Sequence, residues 1–417
     1  MNAIILTVGD ELLIGQVVNT NAAWLGEQLG LAGMTVARME TVGDDVAAIR
    51  RALERGLDEA EVVVVTGGLG PTHDDVTMRA VADGLGREVV LRPELLAEVE
   101  AKLAARGRPM RPAHRVFAEV PEGFEALPNP RGMAPGLWGA RDDGRLVVVM
   151  PGVPHEMEAI CTQHVLPRLR ARAGDAVVLH RTLLTAGEGE AALAERLGDL
   201  SDVLTDGVTL AFLPGLGGVR LRLTVRGADR AAAQEALDRH AARLRRDLGA
   251  LVFGEDDDTL EGVVGAMLAE RGLTLAVAES CTGGAVAARI TSVPGASRYF
   301  VGGVVAYGNA VKARQLGVEE AVLREQGAVS EPVARQMAAG ARTALGADLA
   351  VSTTGIAGPT GGTPEKPVGL VWLGYADAAG THAVRLQLTT DRAVNVGLAA
   401  TAALNLVRRQ LLRGARR

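Results

Sequence analysis

Over the first third of the chain, short apolar runs rich in β-branched residues alternate with stretches of helical period. Ala3–Val8, Thr35–Thr41 and Glu61–Thr66 read as strands, and Asn21–Leu31 and Val46–Leu57, apolar at intervals of three and four, read as the helices between them. This βαβαβ order predicts a parallel sheet with helices on both faces, because each crossover must bury its apolar stripe against the sheet. A helix over 93–106 and a buried strand over 145–150, closed by Pro151-Gly152-Val153-Pro154, complete a first domain at about 1–170.

The pattern then changes. Long strand-like runs at 177–185, 208–213 and 219–226, interleaved with helices at 188–197 and 229–248, predict a small α+β module over 171–253. Four consecutive carboxylates, Glu255-Asp256-Asp257-Asp258, follow and read as a solvated linker, since like charges in a row repel. Beyond it, 259–417 reads as a second α/β domain. It has a helix at 260–269, strands near 273–278, 299–307, 349–354, 368–375 and 382–388, and an alanine-rich closing helix at 392–412.

Composition narrows the function classes. A net charge of −6 argues against a protein built to grip nucleic acid, and no run approaches the roughly 18 uncharged apolar residues that would span a membrane. The two cysteines, Cys161 and Cys281, fall in different predicted domains, so no disulfide framework is expected and a reducing cytoplasm fits. Among the histidines, His73, His114, His155 and His164 show no zinc-type spacing. Of 44 basic residues, only Lys102, Lys312 and Lys366 are lysine.

Two glycine turns carry candidate chemistry. In the first domain a strand delivers Gly67-Gly68-Leu69-Gly70-Pro71-Thr72, then Asp74-Asp75, a setting in which backbone N–H groups converge on phosphate at a helix start. Asp10 and Glu11 also end a strand. If the two strands are neighbours, the carboxylates share one sheet edge, and Asp10, Glu11, Asp74 and Asp75 are candidate ligands of a divalent ion bridging to phosphate. The alternative is that Asp74 or Asp75 caps a helix and Asp10 serves a turn.

In the last domain the strand at 273–278 runs into Glu279-Ser280-Cys281-Thr282-Gly283-Gly284, a second candidate anion cradle, with Thr282, Gly283 and Gly284 supplying amides. Tyr307 and Lys312 follow. A lysine in an arginine-based chain suggests a base that can lose its proton, which makes Ser280 with Lys312 a candidate nucleophile pair and Tyr307 a proton relay. The alternative makes Ser280 or Thr282 a helix cap and Lys312 a surface residue. Cys281 competes as nucleophile, although a buried small hydrophobe is its commoner role. The segments 353–359 and 361–368, dense in glycine, suit either ligand loops or plain turns.

Taken in order, GDELLIGQVVNTNAAWL, TGGLGPTHDDVT, MPGVPHEM, AESCTGG, VAYGNAVK, STTGIAGPTGG and KPVGLVW resemble the competence/damage-inducible CinA family along essentially the whole chain. The resemblance implies three parts: a molybdopterin-binding-like α/β sandwich that hydrolyses ADP-ribose to AMP and ribose 5-phosphate with Mg, Mn or Co, a K-homology-like α+β module, and a C-terminal α/β nicotinamide mononucleotide amidohydrolase needing no cofactor. It implies catalytic roles for Ser280, Tyr307, Lys312 and Thr354, and substrate contacts from Gly355, Arg392 and the first-domain loop through Gly67, Gly68, Gly70 and Thr72. The family's serine after the tyrosine is Gly308 here. A cytoplasmic homodimer is expected on the same ground. A competing reading is a nucleotide- or pterin-binding sensor whose middle module contacts RNA or a protein, and the net charge weighs against RNA.

Overall fold

The computed structural model describes residues 1–414 apart from 175–176, 201–203 and 206. The chain divides into two compact units, residues 1–179 with 226–234 and residues 180–225 with 235–417.

The first unit is built on a six-stranded sheet in the order Thr35–Val42, Asn2–Val8, Val62–Thr66, Leu146–Met150, Gly136–Ala140, Glu125–Leu127. The first four strands are parallel. Alternation sorts their side chains: Ala3, Ile5, Val62, Val64, Val148 and Met150 pack on the helices Thr20–Leu31 and Pro154–Ile160, while Ile4, Leu6, Val63, Val65, Val147 and Val149 pack on Val46–Glu59 and Thr77–Gly84. Each such buried side chain contributes roughly 1.5–3 kcal/mol, and a strand buried on both faces explains the unbroken valine run at 62–65. Parallel strands also bring their carboxyl ends to one edge. Gly9-Asp10, Gly43-Asp44, Gly67-Gly68 and Pro151-Gly152 therefore meet there, with Thr7 in register with Thr66.

In the second unit, a four-stranded sheet runs in the order Val208–Gly215, Gly218–Gly227, Val177–Thr185, Val252–Glu255. A five-stranded sheet follows the order Phe300–Val305, Leu275–Glu279, Leu349–Gly355, Leu370–Asp377, Gly380–Gln387, with its first three strands parallel and the last two antiparallel. One face packs the helices Leu260–Arg271 and Arg392–Gly414 through Val264, Leu268, Leu404 and Val407, and the other packs Glu331–Leu345 through Val333, Met337 and Ala341.

The acidic stretch at 255–258 is solvated over 256–258, as expected, but its start is ordered structure. Residues 252–255 are a strand paired with Val177–Thr185, Asp256 Oδ1 accepts from Thr182 N at 2.8 Å, and Glu255 and Asp256 face Arg181. Arg245 also pairs with Glu255, and buried Arg408 donates to the carbonyls of Ala250 and Val252. Arginines distant in sequence thus offset the charge of the first two carboxylates of the run, Glu255 and Asp256. Among the described residues no helix is long and apolar enough to cross a membrane.

Candidate active sites

The turn after Leu275–Glu279 places Ser280 beside Lys312, on the helix Asn309–Leu316. Lys312 Nζ lies 2.9 Å from Ser280 Oγ, 2.8 Å from the carbonyl of Ala306 and 2.9 Å from that of Tyr307. Lys312 is 1% and Ser280 8% exposed. Burial pushes the Lys312 amine below its ordinary range, since an ammonium loses its hydration there. An ammonium has three donors, and three oxygens surround this one. In the neutral amine two N–H groups stay on the two carbonyls, which cannot donate, so the lone pair points at the one partner that can, the Ser280 hydroxyl.

The glycine turn itself differs from expectation. The buried Glu279 carboxylate accepts from Gly284 N at 2.9 Å, Val286 N at 3.1 Å and Ala287 N at 2.8 Å, so the helix start is already occupied by an internal anion. Gly283 N donates to the Ser280 carbonyl. Neither Gly283 nor Gly284 therefore has a backbone N–H free for a phosphate. Thr282 shares a 2.6 Å hydrogen bond with Thr353. Thr354 lies on the sheet face that carries Ser280, and its hydroxyl donates to the Ala328 carbonyl at 2.8 Å. Gly355 is glycine because a Cβ would stand 2.7 Å from the Leu370 carbonyl of the next strand.

Tyr307, 60% exposed, serves Lys312 through its backbone carbonyl. Its hydroxyl accepts from Arg392 Nη2 at 2.9 Å, and Arg392 Nη1 donates to Gly358 O at 3.0 Å. Tyr307 is thus tied to Arg392, and no described hydrogen bond joins its hydroxyl to Ser280 or Lys312, as a relay would require. Burial pushes the Cys281 thiol up to about 11, which leaves it protonated near neutral pH and removes it as nucleophile.

In the first unit, Gly67 and Gly68 adopt positive φ and sit where a Cβ would meet Val8 O at 2.1 Å and Thr77 Oγ1 at 2.2 Å. Buried Thr77 Oγ1 itself has no partner. The four candidate ligands do not converge. Asp75 Oδ2 accepts from Thr72 N at 2.9 Å and Thr72 Oγ1 at 2.5 Å, Asp74 faces His73, and Asp10 exchanges hydrogen bonds with Asp44. The described residues hold no group of three or more His, Cys, Asp or Glu placed to bind a metal. Glu11 and Asp75 nevertheless line one cavity of about 560 Å³ together with Gly68, Gly70, Arg106 and Arg131. One or two carboxylates completed by phosphate oxygens is a fitting donor set for a hard divalent cation, so Glu11 and Asp75 fit one and Asp10 and Asp74 do not.

Sequence reasoning missed Asp44, Arg106, Arg131 and Glu156. Burial first, then the charges of Asp10, Glu11 and Asp74, push the Asp44 carboxyl up. Glu156 and Asn129, 2.6 Å apart, hold the loop that presents Arg131, with Asn129 Oδ1 accepting from the N–H groups of Arg131 and Gly132. The run Asn129-Pro130-Arg131-Gly132 was the available signal.

Comparison with known proteins matches residues 4–171 to a probable molybdopterin binding domain, 180–254 to the damage-inducible protein CinA KH domain and 257–411 to the CinA C-terminal domain. A CinA-like protein of Salinibacter ruber is 53% identical over 99% of this chain and 100% of its own length. A putative competence-damage inducible protein of Symbiobacterium thermophilum is 46% identical over 99% of both chains. A CinA crystal structure from Thermoplasma acidophilum is 38% identical, covering 39% of this chain and 94% of that one, with a TM-score of 0.37.

Proposed function

The chain belongs to the CinA family, and on that premise we propose that it is a bifunctional pyridine-nucleotide hydrolase. Its C-terminal site deamidates nicotinamide mononucleotide and its N-terminal site splits ADP-ribose into AMP and ribose 5-phosphate. The observation that carries the reading is the buried 2.9 Å contact between Lys312 Nζ and Ser280 Oγ.

Neutral Lys312 takes the Ser280 proton as Oγ attacks the carboxamide carbon of the nicotinamide ring. The N–H groups of Cys281 and Thr282, which donate to no backbone carbonyl among the described residues, are the donors in this turn left for the developing oxyanion. Lys312 returns the proton to the leaving nitrogen, ammonia departs and an acyl-serine remains. Water, deprotonated by the same amine, then releases nicotinate mononucleotide and restores Ser280. Because Glu279 fills the helix start, the substrate phosphate falls to Arg392, exposed beside Tyr307.

At the first site Glu11 and Asp75 would hold the divalent ion, which when bound supplies charge neutralisation at the pyrophosphate. Arg106 and Arg131 pair with the phosphate oxygens, and Gly67 and Gly68 let backbone approach them. The two reactions are tested by following ammonia from nicotinamide mononucleotide and AMP from ADP-ribose in the full chain. Ser280→Ala should stop the first and spare the second, and unchanged ammonia release would refute the serine mechanism.

A further inference from the structure

A second cavity, about 560 Å³, lies within residues 180–417, and none of its lining residues belongs to the Ser280 turn or to the Lys312 helix. One wall is the edge strand Gly380–Gln387, whose alternate residues Val384 and Leu386 face inward. A second is the closing helix Arg392–Gly414, presenting Leu398, Ala402 and Leu406 at intervals of four. Two such apolar faces would ordinarily close on each other. Here the hairpin tip at 214–219 and the turn at 187–190 form the third wall in backbone. Gly217, at φ 86°, approaches so closely that a Cβ would meet Thr401 Cγ2 at 2.5 Å, and a Cβ on Gly187 would stand 3.2 Å from Asn405 Nδ2. Glycine thus brings backbone close to the helix and adds no side chain to fill the space between the apolar walls.

The polar groups of the cavity are not balanced. Asn405, 6% exposed, borders it, and its Oδ1 accepts from Arg408 Nε at 3.1 Å. A guanidinium can only donate, so the amide oxygen is fixed on that side and the NH₂ group is turned away from it; this group donates to no described residue. One and two turns further along the same helix stripe, Arg409 and Arg413 line the cavity and form no ion pair among the described residues. Of the two carboxylates on the rim, Glu188 forms a bidentate pair with Arg196, at 2.6 Å for each bond, and also faces the charge of Arg409, so with Arg196 three guanidiniums meet two carboxylates there. Donors and net positive charge stand at one side, leucine and valine at the other.

From this geometry we infer that the cavity is a binding site for a small amphipathic carboxylate, an alkyl or aryl body against Val384, Leu386, Leu398 and Leu406 and its carboxylate toward Asn405, Arg409 and Arg413. The volume falls in the range of sites for small organic ligands, which combine an apolar lining with a few convergent polar groups. This site is separate from both proposed reactions and stands whether or not they do.

Decanoate titrated calorimetrically into the full chain tests it, with decylamine as the reversed charge. One decanoate should bind per chain, decylamine should give no binding heat, and the exposed pair Arg409→Gln/Arg413→Gln should weaken decanoate at least tenfold. Ala402→Trp, filling the cavity from the helix side, should remove binding. Absence of decanoate heat, equal binding of decylamine, or parental binding in the arginine double variant overturns the proposal. Because those arginines are exposed, that variant keeps the test decisive if the tryptophan variant does not fold.

Discussion

The Gly67–Thr72 loop and the Ser280–Gly284 turn look alike in sequence, each a strand, a glycine-rich turn and a helix, and both fold back on a carboxylate of their own. Glu279 is fully buried and takes three backbone N–H groups of the helix start, whereas Asp75 is only half-buried and takes one N–H and the hydroxyl of Thr72. Burial decides what each turn can do. A carboxylate with three charge-assisted hydrogen bonds and almost no exposure to solvent is a fixed part of the scaffold, and it holds Ser280 against a lysine made less basic by burial. The half-buried Asp75, which borders a cavity, can exchange its hydroxyl partner for a cation when phosphate arrives, so the first turn is a site for charge and the second a site for a nucleophile.

Chelation separates the two most completely. EDTA should abolish AMP formation from ADP-ribose and leave ammonia release within error of the untreated enzyme. Ammonia release that stops with the metal would make both turns charge sites.

Lys312→Arg comes next in size. Arginine keeps the charge but cannot surrender a proton near neutral pH, and positioned proton transfer is typically worth about 10²–10⁴-fold in rate. A loss of that order in kcat for deamidation is expected, with ADP-ribose cleavage unchanged; a loss under tenfold would make Lys312 a binding residue. The pH profile carries the same information. Burial favours the uncharged amine, so the active form appears at lower pH than in a free lysine, and the rate should rise with pH through that lowered pKa. A lysine needed as a cation would give a rate falling over the same span.

Glu279→Gln tests whether the internal anion positions the nucleophile. The amide retains an acceptor but loses charge-assisted bonds worth roughly 1.5–3 kcal/mol each, and its own NH₂ group meets donors. We expect a lower Tm and a kcat for deamidation reduced about 10- to 100-fold at unchanged KM, because displacement of a reacting group by about 1 Å can cost about 10²-fold. An unchanged kcat with a lowered Tm would reduce Glu279 to a purely structural role.

Much of this was legible in the chain. The strands at 62–66, 275–279 and 349–355 and the parallel cores of both mixed sheets follow from apolar periodicity, and the Ser280–Lys312 pair is expected from the rarity of lysine and from the family resemblance. Partnership across long sequence separations was not. Glu255 and Asp256 read as part of a linker until Arg181 and Arg245 pair with them, and even locally the amides of Gly283 and Gly284 read as free until the Ser280 carbonyl takes the first and the Glu279 carboxylate the second. The scarcity of lysine was a weaker clue than it looked. Lys102 and Lys366 also donate to backbone carbonyls, at Asn129 and Gln326, and staple loops. What distinguishes Lys312 is its burial and the hydroxyl among its partners, neither of which composition records.

Tyr307→Phe should have the smallest effect and discriminates best between two views of the nucleophile turn. As a proton relay the phenol would take part in every turnover, and its loss would cost about 10²-fold or more. In the structure Lys312 is held by the backbone carbonyl of residue 307, which phenylalanine keeps, while the phenol oxygen accepts from Arg392. Removing it frees Arg392 from one of its two anchors and leaves the bond to Gly358. An exposed hydrogen bond of this kind contributes about 0.5–1.5 kcal/mol, roughly three- to tenfold. That change should appear in KM for nicotinamide mononucleotide, through the phosphate partner, with kcat nearly unaltered. A hundredfold loss of kcat at constant KM would instead return the phenol to the proton path and require it to swing from Arg392 toward Ser280 during the reaction.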